Sequence, residues 1–173
     1  RHPGAEKMAT ISYYMADADI RRGLGGTIDL ANADATLIGT AGADYAGVSV
    51  AGGDFNRDGF GDVVIGAFGN DDGGTDAGAV YIFSGPISGT QFLSAANLEL
   101  TGEAPGDQAG YSVASAGDYN GDGRDDILVG SWANDTTATD ADDFDVRHVV
   151  VLLQVHALPF DPTSLPETSG VVF

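Results

Sequence analysis

The apolar positions of this chain fall into short runs separated by clusters of Gly, Asp and Asn. Between Gly47 and Gly52 the valines alternate with smaller residues. Asp62 to Ala67 contains a continuous apolar run, Val63-Val64-Ile65, and Ala79 to Phe83 is β-branched and aromatic. A fourth short run lies near Leu98 to Thr101. Runs this short, bounded by turn residues, predict short antiparallel strands. No long stretch combines helical spacing with a capping residue, although Ile20 to Ala35 is expected to hold a short helical turn.

The pattern repeats. Gly47-Val48-Ser49-Val50-Ala51 matches Gly110-Tyr111-Ser112-Val113-Ala114. Asp54 to Asp62 (DFNRDGFGD) matches Asp118 to Asp126 (DYNGDGRDD), and Val63 to Asp71 matches Ile127 to Asp135. Upstream, Leu30 to Gly39 matches Leu93 to Gly102. A period of about 64 residues with four short strands per unit points to an all-β fold built from antiparallel four-stranded blades of a β-propeller. On this reading residues 10–39 are the rear half of a blade, 46–102 a complete blade, 109–154 a partial blade with Val149 to Leu153 as its third strand, and 155–173 an irregular tail holding Pro159, Pro162 and Pro166. About 2.7 repeats do not close a propeller, which takes roughly 4–8 blades. The segment is therefore expected to be a piece of a longer chain or to cover its open edges by assembly.

Composition narrows the function. Acidic residues number 26 against 7 Lys plus Arg, a formal net charge of −19. Such a surface repels nucleic acid and anionic membranes. No apolar run is long enough to span a bilayer, and without Cys there is no disulfide framework, thiol catalysis or thiolate metal site. At 43% hydrophobic residues concentrated in β-rich runs, the chain is not an acidic disordered one. Residues Arg1 to Met8 contain no apolar core of a signal peptide.

The acidity has an address in the pattern D-x-N-x-D-G-x-x-D, present twice. Asp54, Asn56, Asp58 and Asp62 supply side-chain oxygens in the first loop, and Asp118, Asn120, Asp122 and Asp126 in the second. The backbone carbonyls of Phe60 and Arg124 are candidate further donors at position 7, and Gly59 and Gly123 permit a sharp turn at position 6. Three carboxylates and an amide are hard donors that suit Ca²⁺ better than Zn²⁺ or copper, and about two ions are expected. An EF-hand is disfavoured, because position 12 is Ile65 or Val129 within an apolar run instead of a bidentate Glu.

Strand, acidic loop, apolar strand and then Gly78-Ala79-Val80-Tyr81-Ile82-Phe83 together resemble the FG-GAP repeat over roughly residues 28–153. That resemblance implies the seven-bladed propeller of integrin α subunits or the related repeats of secreted proteins, with a calcium loop joining the first two strands of a blade. The Phe-Gly of the repeat is Ala46-Gly47 and Ala109-Gly110 here, and its Gly-Ala-Pro is Gly66-Ala67-Phe68 and Gly130-Ser131-Trp132. No Arg-Gly-Asp is present.

Other signals are weaker. His2, His148 and His156 do not cluster with acids or a nucleophile, and Ser112 reads as a strand residue. Gly23-Leu24-Gly25-Gly26 reads as a turn, Asp140 to Asp145 as a solvated loop, Asn134-Asp135-Thr136 as a sequon, and Leu165 to Gly170 as a chance near-match to a sortase signal. The expectation is a calcium-binding propeller segment of an extracellular protein. It has no catalytic constellation, and its binding or adhesion role is directed at a protein or glycan. The alternative is the propeller portion of a secreted hydrolase whose catalytic residues lie elsewhere.

Overall fold

The computed structural model describes residues 10–13, 33–133 and 149–153, the first and last of these as backbone strands only. The strands in chain order are β1 (Thr10–Tyr13), β2 (Ala35–Ile38), β3 (Ser49–Gly53), β4 (Asp62–Ala67), β5 (Ala79–Phe83), β6 (Gly89–Phe92), β7 (Leu98–Thr101), β8 (Ala109–Gly117), β9 (Asp126–Ser131) and β10 (Val149–Leu153). The helical turn expected in Ile20 to Ala35 lies outside the described residues up to 32, and Ala35 itself opens β2. The tail and the three histidines also lie outside them.

The strands form three sheets, ordered β3-β4-β5-β7, β10-β9-β8 and β1-β2-β6. The four-stranded sheet is an antiparallel meander with Ile65 opposite Val50 on one side and Tyr81 on the other. Sheet β8-β9-β10 repeats the first three strands of that meander, and β1-β2 repeats its last pair. These are incomplete β-propeller blades.

Why β4 and β5 are apolar without alternation follows from where their faces go. Every residue of both strands is buried. Val63, Ile65, Ala67, Tyr81 and Phe83 point one way and pack with Ala35, Leu37, Ile87 and Leu93. Val64, Val80 and Ile82 point the other way and pack with Phe55, Ile127 and Val129. The central sheet is thus sandwiched between its two neighbours, and a sheet covered on both faces reads as a continuous hydrophobic run. Each large aliphatic side chain so covered contributes about 1.5–3 kcal/mol.

Close approach of the β3-β4-β5-β7 and β8-β9-β10 sheets depends on Gly66. A side chain there would collide with the carbonyl oxygen of Gly110, and Ser49 Oγ donates to that same carbonyl at 2.8 Å. At the strand ends opposite the acidic loops, a row of rings crosses the same junction. Tyr45 stacks on Phe68 at 4.8 Å, Phe68 meets Tyr111 at 5.2 Å, and Tyr111 meets Trp132 at 5.1 Å.

Strand β6 is unexpected. It is only Gly-Thr-Gln-Phe, mostly exposed, and it pairs in parallel with β2, placing Ile38 opposite Phe92. Nothing in this short sequence signals a strand; it exists because β2 offers an edge. A short 3-10 turn at Leu93–Ala95 then leads toward β7.

Candidate metal-binding loops

Both acidic loops occupy the same place, between the first and second strands of their sheets: β3 to β4, and β8 to β9. Their backbones repeat as well. Position 4 is left-handed in both, at Arg57 (φ 61) and Gly121 (φ 78), and position 6 is left-handed at Gly59 (φ 85) and Gly123 (φ 86). Glycine adopts this conformation without the Cβ penalty that Arg57 bears.

The side chains at positions 1, 3 and 5 hold the turn from inside. Asp54 accepts the N–H of Asp58 (3.1 Å) and of Gly59 (3.0 Å), one on each oxygen. Asn56 Oδ1 also accepts the Asp58 N–H at 2.9 Å, and Asp58 Oδ1 accepts the N–H of Phe60 at 2.8 Å. In the second loop Asp118 accepts from Asp122 (2.9 Å) and Gly123 (2.9 Å), Asn120 Oδ1 from Asp122 (2.8 Å), and Asp122 Oδ1 from Arg124 (2.9 Å). These carboxylates and amides face the inside of one turn because each finds backbone donors there.

Position 9 differs in depth. Asp62 is buried, and its two oxygens accept the N–H of Phe55 (2.9 Å) and of Gly85 (2.8 Å), tying the loop to the connection after β5. Burial pushes the Asp62 carboxyl above its ordinary range; the Gly85 and Phe55 N–H groups oppose the shift and the Asp58 carboxylate adds to it. Asp126 is also buried and accepts the N–H of Tyr119 at 2.9 Å, while the Asn120 side-chain amide approaches both Asp122 (3.3 Å) and Asp126 (3.5 Å). Among the described residues, no three carboxylate or imidazole side chains close into a formed metal cage. The carboxylate oxygens are turned onto backbone N–H groups, and each retains lone pairs that a cation can use.

The donor set suits a hard divalent cation. Positions 1, 3, 5 and 9 of each loop supply three carboxylates and one amide, with no imidazole or sulfur ligand. Without a cation the three carboxylates at these positions of each loop repel one another.

Some residues escaped the sequence reading. Asp44 and Asp107 occupy matching positions in Asp-x-Ala-Gly and both are buried. Asp44 accepts the N–H of Gly69 on its carbonyl (3.1 Å), as Asp107 accepts that of Ala133 (3.2 Å). The Asp107 carboxylate also accepts the N–H of Ala104 at 3.0 Å. Aligning the repeat a few residues further upstream reveals this pair. Phe55, at position 2 of the first loop, is fully buried between sheets. Ser112 lies in β8, as a strand residue.

A four-stranded sheet and a three-stranded sheet that repeats its first three strands, each with an acidic loop after the first strand, define a propeller-repeat protein. The FG-GAP repeat family profile matches residues 46–83 and 109–145, and so takes in both loops. Human integrin alpha-E is 32% identical over 170 residues, 95% of this chain and 13% of that protein. Integrin alpha-5 of Xenopus laevis is 36% identical over 94 residues (51% of this chain, 9% of that protein), and mouse integrin alpha-E is 42% identical over 84 residues (46% and 7%). The chain is an FG-GAP repeat protein of the integrin-α-like kind, and it spans only a small part of the length of these relatives.

Proposed function

We propose that this chain is a calcium-binding propeller segment of an extracellular protein, with a binding or adhesion role in which the metal shapes loops and takes no part in chemistry. Asp54, Asn56, Asp58 and Asp62 would hold one Ca²⁺ and Asp118, Asn120, Asp122 and Asp126 the other, with the carbonyls of Phe60 and Arg124 as further donors. When bound, the ion supplies positive charge that offsets three neighbouring carboxylates. The chain's own residues do the rest: positions 1, 3 and 5 wrap the turn, and Asp62 and Asp126 anchor it to the sheet.

The observation that carries this reading is the repetition of one hydrogen-bond scheme on identical ligand types in two loops 64 residues apart, at Asp54 and Asp118. An Asp-Gly hairpin alone needs no such set of carboxylates. The resemblance to integrin α chains supports the extracellular setting and a non-enzymatic role. Among the described residues no helix is long and apolar enough to cross a membrane.

A partner surface is supported by unequal burial. Phe55 is 0% exposed between two sheets, whereas Tyr119, at the same loop position, is 74% exposed. A further blade against the β8-β9-β10 sheet would cover Tyr119 as that sheet covers Phe55. The test is scanning calorimetry in calcium and in chelator: the reading requires a higher melting temperature with calcium, and coincident melts would overturn it.

A further inference from the structure

The two loops touch, and the side chains that join them stand at positions where the repeat breaks. At position 8 the first loop has Gly61 and the second has Asp125; at position 4 the first has Arg57 and the second has Gly121. Asp125 pairs reciprocally with the first ligand residue of the other loop. Its carboxylate accepts the N–H of Asp54 at 3.0 Å, and its own N–H donates to the Asp54 carbonyl at 3.1 Å. From the other side, Arg57 donates Nη1 to the carbonyl of Asp122, the position-5 residue of the second loop, at 3.2 Å. Gly123 leaves the space for it, since a Cβ there would lie 2.7 Å from the guanidinium. Each loop thus grips the backbone of a ligand residue in the other.

We propose that the two loops form one cooperative unit, with Asp125 as the positioning residue through which loading of the second loop raises the calcium affinity of the first. This rests on the calcium reading above. Asp125 directly precedes the ligand Asp126, so ordering residues 118–126 around an ion also fixes Asp125. Asp125 then holds both backbone hydrogen-bonding groups of Asp54 in place. The first loop has less conformational freedom left to lose, and a site that is already ordered binds more tightly. Charge acts in the opposite sense, because an ion in one loop lessens the negative potential at the other. That contribution is spread through solvent and weakened by salt, whereas the Asp54–Asp125 pair is a direct contact. Removing Asp125 separates the two effects.

The experiment is calorimetric calcium titration of the whole chain in four forms: unaltered, with the second loop disabled by Asp118→Asn plus Asp122→Asn, with Asp125→Ala, and with both changes. Disabling the second loop is expected to weaken first-loop affinity about five-fold or more when Asp125 is present and by less than about two-fold when it is Ala. Asp125→Asn keeps an acceptor oxygen for the Asp54 N–H and should restore most of the coupling, an outcome that general destabilisation does not produce. If the alanine variant fails to fold, Asp125→Gly, the residue that the first loop carries at this position, takes its place. Two bound ions with first-loop affinity indifferent to the second loop, or a dependence unchanged by Asp125→Ala, would overturn the coupling alone. No calcium uptake by the unaltered chain would overturn the calcium reading and the coupling with it.

Discussion

Phe55 and Tyr119 stand at the same position of two matching loops, and one is fully buried while the other is 74% exposed. Phe55 packs with Val64, Val80, Ile82, Ile127 and Val129 and so fastens the first loop into the junction between two sheets. Phe55→Ala is expected to cost about 3–5 kcal/mol, the range for emptying a packed aromatic site. Tyr119→Ala should stay within about 0.5 kcal/mol, as for a surface change. Denaturant unfolding of the two variants checks this, followed by the emission of Trp132, the sole tryptophan, which contacts Tyr111 at 5.1 Å.

Gly66→Ala tests how closely the β3-β4-β5-β7 and β8-β9-β10 sheets approach. The added methyl group would press on the Gly110 carbonyl oxygen and the Ser49 hydroxyl, both fixed by a 2.8 Å hydrogen bond. Backbone cannot swing aside as a side-chain tip can, so a loss of about 1–3 kcal/mol is expected. Gly59→Ala, by contrast, meets no atom and should report only the left-handed φ of 85°, a cost of about 1–2 kcal/mol. Thermal melts of the two variants compare the effects.

Removing one ligand charge should remove one ion. Asp58→Asn is expected to weaken binding in the first loop by at least about ten-fold, the lower bound seen for residues that merely support a ligand. Calcium at about 100 times its Kd adds about 2.7 kcal/mol of stability per site, and chelator should reverse that gain. Titration calorimetry with and without the substitution, and melts with calcium or magnesium, measure both. Magnesium is expected to stabilise less, because it demands a tighter octahedron.

Without calcium the protein should be more stable in mild acid than at neutral pH. Burial raises the carboxyl of Asp62 above its ordinary 3.8, with the Gly85 and Phe55 N–H groups opposing. Burial likewise raises Asp44 from 3.8, opposed by Asn70 and reinforced by Asp71 and Asp72. Glu99 rises from 4.5 through burial and then the Asp72 charge, against the hydrogen bond of Tyr81. The folded chain therefore binds more protons than the unfolded chain just above these ordinary values, so stability falls as pH rises through that window. Calcium competes with the proton at Asp62, and its stabilising effect should grow over the same interval. Melting temperatures between pH 4 and 7 in chelator and in calcium test both slopes.

Strands β4 and β5 were legible because double-sided burial writes itself as unbroken apolar residues, Val63 to Ile65 and Val80 to Phe83. Loop position was legible because the ligand types recur in step with those strands. The edge strand β6 was not, since Gly-Thr-Gln-Phe, mostly exposed, carries no periodic signal and gains a strand's geometry only from β2. Nor was the link between Asp54 and Asp125, because it joins positions 71 residues apart at which the repeat itself changes. Repetition exposes what neighbouring units share and conceals how each pair is fitted together.

Strand β6 also bears on the order in which the chain can be assembled. Residues Gly89–Phe92 belong by sequence to the connection between β5 and β7, yet they complete the edge of the sheet that contains β2. On a ribosome, β2 emerges first and keeps that edge bare until roughly fifty more residues have been made. The β1-β2 sheet is therefore finished by residues of the unit synthesised after it, like overlapping roof tiles. An interruption of translation between Ile38 and Gly89 would leave an unpaired edge available to another chain.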